Sequence, residues 1–207
     1  MSNVPAALRQ ELSDRFTFES IILDVRQNSA DGTVKSRYKL HDGYKIETVM
    51  IPVPEDRRST ACVSSQVGCS LTCSFCATGK MGRLRNLTAG EIYDQAFDTN
   101  KLSQEMLGYP LTNIVYMGMG EPLLNYGPVM ESIHKITSPE GMAWSPRRIT
   151  LSTAGIAKMI RRLGDEKVKF NLALSLHAAD DNKRNHIMPI NESNSLRSLM
   201  EALDYFY

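Results

Sequence analysis

From Ala61 onward, strand-like runs take turns with stretches whose apolar residues recur every three or four positions. ACVSSQV, TNIVYM, RRITLST and KFNLALSLHA read as strands. AGEIYDQAFDTNKLSQEML, GPVMESIHKIT, AGIAKMIRRL and the stretch from Ser193 read as helices. This alternation constrains the fold more than any other feature. A strand, a helix and a second strand bury their apolar faces together when the two strands are parallel and the crossover is right-handed. The expected class is α/β, a sheet of parallel strands built from (βα) units. Thr88-Ala-Gly-Glu91 matches a capping box, and Ile92, Ala96 and Phe97 are expected on one helix face. Pro128 sits early in its helix, where proline is tolerated. Leu196, Leu199, Met200, Leu203 and Phe206 give the last helix its spacing. A closed barrel of eight units takes about 250 residues, or about 31 per unit. Only four units are legible here, and the sequence ends inside a helix at DYFY. The expectation is a partial barrel, the first part of a larger one.

Residues 1–60 follow a different pattern. MSNVPAALRQELSDRF reads as an amphipathic helix with Leu8 and Leu12 one turn apart. ESIILDVRQ, TVKSRYKL and YKIETVMIPV read as three strands, separated by NSADG and HDG with their Asp-Gly turn signals. The expected organisation is a small antiparallel β subdomain over residues 1–60 and the truncated barrel over 61–207.

With 207 residues the chain can bury a core without disulfides. A net charge of +1 gives no overall basic excess, so any nucleic acid would be met by local patches. The N-terminus lacks the apolar region of a secretion signal, and no apolar run approaches the roughly 20 residues of a membrane span. The expected setting is a reducing cytoplasm, with no membrane partner.

All four cysteines fall within fifteen positions: Cys62, Cys69, Cys73 and Cys76. Three readings compete. A structural zinc site usually draws on two separated knuckles, whereas Cys69, Cys73 and Cys76 form one run. A disulfide suits a reducing compartment poorly. An iron–sulfur cluster fits better, because one loop can present three thiolates and leave one iron open. Downstream, Gly118-Met-Gly120 fails as a dinucleotide fingerprint because position 123 is Leu123. Glycines at a strand's end would let a ligand approach the backbone. Ser152 falls near the end of the third strand, and Ser175 and His177 near the end of the fourth, on one strand face by alternation. Glu47 shares a face with Val49 and Ile51, where partial burial would raise its pKa. Lys80, Arg83 and Arg85, Arg57-Arg58 and Arg147-Arg148 are the basic clusters. The first follows the cysteine loop and is the best-placed phosphate contact.

Cys69-x3-Cys73-x2-Cys76, with Phe75 before the last cysteine, resembles the signature of the radical S-adenosylmethionine (SAM) superfamily. The longer run CVSSQVGCSLTCSFCATGKMGRLRNLTAGEI, with IETVMIP, GMGEPLLNY, RRITLSTAG and LALSLHAADDNKRNHIMPIN in order, resembles the RlmN-type RNA methyltransferases. The resemblance implies methylation of adenine carbon 2 in 23S ribosomal RNA and transfer RNA. It implies that Cys69, Cys73 and Cys76 ligate a [4Fe-4S] cluster whose open iron chelates SAM. An electron donor such as flavodoxin would reduce the cluster, and a deoxyadenosyl radical would follow. It implies that Gly120, Glu121, Ser152, Ser175, Leu176 and His177 line the SAM site, with Glu121 accepting a hydrogen bond from the methionine ammonium. A methyl group carried on a further cysteine would add to adenine. Cys62 would then release the covalent adduct, and Glu47 would take up a proton. That methyl-carrying cysteine, a SAM-binding asparagine and an N-terminal RNA-recognition domain have no counterpart in these residues. The expectation is a piece of a longer or split enzyme, unable to complete methylation alone. Two alternatives stand beside it: the related methylation of adenine carbon 8, and a zinc-stabilised RNA-binding module without chemistry.

Overall fold

The computed structural model describes residues 4–16 and 19–207. In chain order its elements are α1 (Ala6–Arg15), β1 (Ile21–Asn28), β2 (Val34–Leu40), β3 (Lys45–Val53), β4 (Arg58–Cys62), β5 (Gln66–Val67), α2 (Ala77–Lys80) and β6 (Arg85–Asn86). There follow α3 (Ala89–Leu107), β7 (Asn113–Tyr116), α4 (Tyr126–Thr137), β8 (Ile149–Thr153), α5 (Ala157–Asp165), β9 (Asn171–Leu174), α6 (Asp181–Ile187) and α7 (Leu196–Phe206). Seven strands form one sheet in the order β1-β2-β3-β4-β7-β8-β9, and β5 pairs with β6 beside it. β1 to β4 are antiparallel neighbours, whereas β4, β7, β8 and β9 run parallel. The class is α/β, with antiparallel strands preceding parallel ones. β4 belongs to both arrangements: Cys62 is opposite Val49 on one side and Val115 on the other. The sheet is therefore continuous across residues 60 and 61.

Alternation along the parallel strands separates two faces. Ala61, Ile114, Ile149 and Leu151 are fully buried and build the core with Ile92, Ile136, Ile160 and Leu163 of the helices. Cys62, Val115, Thr150, Ser152 and Ala173 take the other face and are only partly covered. Thr88 and Glu91 make the expected capping box, so α3 starts at a chemically defined point. Its buried face runs through Ile92, Gln95, Ala96 and Thr99. Phe97, expected beside Ile92, lies five residues on and is 40% exposed. At 3.6 residues per turn that step rotates it away from Ile92.

Three other expectations differ locally. No residue of α1 is buried, and Leu8 is exposed, so the helix forms without packing an apolar face. ACVSSQV is not one strand: pairing with β3 ends at Cys62, and β5 begins only at Gln66. α6, within the run ADDNKRNHIMPIN, was not legible as a helix. It is a seven-residue helix capped by Asp180, whose side chain accepts from Lys183 N. In α7, Leu199 and Ala202 are buried while Met200 faces solvent.

Candidate metal and cofactor site

A cavity of about 270 Å³ opens at the carboxyl ends of the parallel strands. It is lined by Cys69, Cys73 and Cys76, by Gly118, Gly120 and Glu121 after β7, by Ser152 to Ala154 at β8, and by Ser175 and His177 after β9. Phe75, Tyr116, Met117 and Met188 complete much of its wall. The ends of β7, β8 and β9 meet the cysteine loop here because parallel strands all finish on the same side of the sheet.

The segment Ser64-Ser65-Gln66, between β4 and the cysteine loop, is wholly buried and polar. Gln95 of α3 accepts from Ser64 N at 2.8 Å and donates to Ser64 O at 3.1 Å. Ser64 Oγ accepts from Met119 N at 2.9 Å, and Gln66 Oε1 accepts from Glu121 N at 2.8 Å. Asn125 Nδ2 donates to the carbonyls of Ser65 and Leu87. Nothing in the sequence marked these residues, since polar side chains between a strand and a loop ordinarily signal exposure. They fasten the cysteine loop to the GMGEP turn. The glycines of that turn answer to the same packing. A Cβ on Gly118 would lie 2.7 Å from Ser64 Oγ and from Val63 O, and one on Gly120, at φ +97°, would lie 2.4 Å from Gln66 Cβ. Close approach of the Val63–Gln66 segment thus requires both glycines, which also line the cavity.

Within the loop, Cys69 and Cys73 are buried and Cys76 is half-buried, all as free thiols. Burial pushes the Cys69 and Cys73 thiols above their ordinary pKa. Among the described residues, no three of His, Cys, Asp and Glu are drawn together tightly enough for a single metal ion. The three sulfurs instead share one open cavity, a donor set suited to a larger group. Glu121 is 3% exposed; Leu123 N donates to its Oε1 at 3.1 Å and Ala154 N to its Oε2 at 2.8 Å. Burial raises its pKa, and the hydrogen bonds from Ala154, Thr153 and Leu123 oppose that rise. With three hydrogen bonds accepted, the carboxylate keeps one lone pair for a cationic donor.

Ser152 Oγ and Ser175 Oγ lie 3.2 Å apart. β9 stops at Leu174, so strand alternation does not extend to Ser175 and His177. His177 has left-handed backbone (φ 57°), and its ring packs on Phe75 with centroids 4.3 Å apart. Leu176 is exposed and outside the cavity wall.

Cys62 and Glu47 lie outside the cavity, on the open face of the sheet. Cys62 is opposite Val49, two residues from Glu47. Burial pushes the Cys62 thiol up to about 11, opposed by a hydrogen bond from the Met117 backbone. The Glu47 side chain is 44% exposed and lies 3.3 Å from Lys35 Nζ. Glu47 is thus half-buried, while the core face of β3 carries Ile46, Thr48 and Met50. Arg85 is not free for phosphate: it forms two hydrogen bonds to buried Glu91, at 2.9 and 2.8 Å, and one to Asp42. Lys80 and Arg83 are exposed.

Residues 63–207 match the Radical SAM superfamily. The chain belongs to that superfamily. A probable dual-specificity RNA methyltransferase RlmN of Cytophaga hutchinsonii is 58% identical across 206 residues, covering 100% of this chain and 56% of the relative. The dual-specificity RNA methyltransferase RlmN of Nautilia profundicola is 41% identical and is covered over 60% of its length. A crystal structure of a radical SAM methyltransferase from Sphaerobacter thermophilus superposes with a TM-score of 0.92 at 41% identity, covering 99% of this chain and 60% of that one. This radical SAM chain therefore spans a little over half the length of the curated relatives it matches. No helix among its described residues is long and apolar enough to cross a membrane.

Proposed function

We propose that this chain is the cluster- and SAM-binding portion of a radical SAM enzyme that methylates adenine carbon 2 in ribosomal and transfer RNA. The observation that carries the reading is the convergence of Cys69, Cys73, Cys76, Glu121, Ser152, Ser175 and His177 on one cavity at the strand ends. Cys69, Cys73 and Cys76 would hold a [4Fe-4S] cluster, which would supply one-electron chemistry for the reductive cleavage of SAM. Such chemistry suits a carbon–hydrogen edge of adenine, which is no nucleophile. Glu121 receives the methionine ammonium: its buried carboxylate, held by two backbone N–H groups, strengthens a charge-assisted hydrogen bond. Ser152 and Ser175 offer paired hydroxyls to polar groups of SAM, and the Phe75–His177 pair forms part of the cavity wall. Gly120 permits the tight turn, and Leu176 contributes backbone rather than side chain.

On the open sheet face, Cys62 is the thiol that resolves the covalent RNA adduct and Glu47 the proton acceptor. Their shared face and the two-residue offset between Glu47 and the partner of Cys62 support the pairing. Lys80 and Arg83 contact RNA phosphates, the electron donor is a low-potential protein such as flavodoxin, and the setting is cytoplasmic. Residues 1–60 form one functional unit and 61–207 the radical-generating one.

Anaerobic reconstitution tests the reading. Iron and sulfide should bind in near fourfold excess over protein, be lost in Cys69→Ala, Cys73→Ala or Cys76→Ala, and be kept in Cys62→Ala. Zinc at one per chain, or iron lost in a folded Cys62→Ala, would refute it. Product analysis with labelled SAM and RNA, in the presence of the rest of the enzyme, separates carbon 2 from carbon 8.

A further inference from the structure

The run from Asp180 to Asn194 plays no part in the chemistry above, yet it holds Arg184, a fully buried arginine (0% exposed). α6 carries it up against the cysteine loop. Ser74 donates its backbone N–H to Ile187 O at 2.9 Å, and Met188 packs with Cys69 and Cys73. From this helix the guanidinium reaches two strand ends at once. Nε donates to Leu176 O at 3.1 Å, and Nη2 donates to Ala154 O at 2.6 Å and to Ser175 O at 3.2 Å. Nη1 donates to Asn191 Oδ1. Ala154 directly follows β8 and Ser175 directly follows β9, so one planar fork sets the spacing where both strands enter the cavity. A lysine, with one nitrogen and no fixed plane, could not reproduce this.

The partners of the guanidinium are neutral. The nearest acid, Asp181, is met only through Asn191, whose Nδ2 donates to Asp181 Oδ1 at 2.7 Å. A buried cation is unfavourable unless its donors are satisfied. Here every guanidinium nitrogen donates to an oxygen of the protein, so the buried fork is fully paired.

We propose that Arg184 is a positioning residue for the SAM site. Its fork holds the ends of β8 and β9, and with them the Ser152–Ser175 pair, around the cavity. The proposal rests on the radical SAM reading.

The experiment is equilibrium dialysis of labelled SAM against the anaerobically reconstituted chain, with iron content and circular dichroism measured on every sample. Arg184→Lys should load iron and sulfide as the wild type does and bind SAM about tenfold more weakly, because the fork is lost. If the wild-type chain takes up no iron and sulfide, the radical SAM reading fails and this proposal with it. If Arg184→Lys loads equally and binds SAM as tightly as the wild type, the proposal alone is overturned. Should Arg184→Lys not fold, Asn191→Ala decides, since it removes the acceptor of Nη1 and leaves the carbonyl contacts. It should weaken SAM binding about threefold at unchanged iron content, and an unchanged affinity overturns the proposal.

Discussion

Replacing Gly120 by alanine probes the joint on which the site depends. Its backbone sits at φ +97°, and the added methyl would meet Gln66 Cβ at 2.4 Å, Cγ at 2.6 Å and N at 2.8 Å. Two costs follow. The left-handed backbone costs about 1–2 kcal/mol for a residue with a Cβ. Overpacking adds about 1–3 kcal/mol, because Gln66 Cβ and N belong to a buried strand and cannot swing aside. The expected loss is about 2–5 kcal/mol in urea unfolding of the iron-free chain. Two further alanines separate the terms. Gly43, at φ +85° in the β2–β3 turn, has nothing within 4 Å, so Gly43→Ala should lose only the backbone term, about 1–2 kcal/mol. Gly127, in the first turn of α4, also has open space and no positive φ, so Gly127→Ala should gain up to about 1 kcal/mol. Since Gln66 also accepts the Glu121 N–H, Gly120→Ala should weaken SAM binding in whatever fraction stays folded. A Gly120→Ala penalty no larger than that of Gly43→Ala would refute the close packing of the two segments.

Gln95→Leu strands the buried backbone N–H and carbonyl of Ser64 and should cost about 2–5 kcal/mol; a loss below 1 kcal/mol would show that the polar joint is dispensable. Lys80→Ala and Arg83→Ala should each lower the salt slope of RNA binding by about 0.7 with little effect on stability. Arg85→Ala should instead cost about 3 kcal/mol, because it leaves Glu91 buried without its partner; an unchanged unfolding midpoint would contradict this division. Burial pushes Cys62 up to about 11 from 9.0, so at pH 8 its thiolate is about 100-fold scarcer than in an ordinary cysteine. In a chain with Cys69, Cys73 and Cys76 replaced by alanine, iodoacetamide should label Cys62 slowly, about tenfold faster per pH unit to about pH 11. A plateau near pH 9 would show that the thiol is exposed.

Local chemistry carried much of the architecture into view. The Thr88–Glu91 box, the Asp-Gly turns and the period of most runs depend on neighbours within a few residues, and the elements they mark are present, with ACVSSQV divided between β4 and β5. The cysteine spacing likewise confines three thiols to one loop whatever the rest of the chain does. Only tertiary structure decided how that loop is held. The burial of Ser64–Gln66 depends on Gln95, some thirty residues away, and on a turn more than fifty residues downstream. Arg85 and Arg184 look alike in sequence to the exposed Arg83, yet Arg85 is locked to Glu91 and Arg184 is fully buried. An arginine's environment is set by what packs around it, and one-dimensional pattern does not record that. The two faces of the sheet obey the same rule. Alternation set Glu47 apart from Ile46 and Thr48, but which set meets the helices depends on where α3 lies against β3 and β4. That choice left Glu47, Cys62 and Ser152 together on the open face, because each strand was fixed in register by its neighbours.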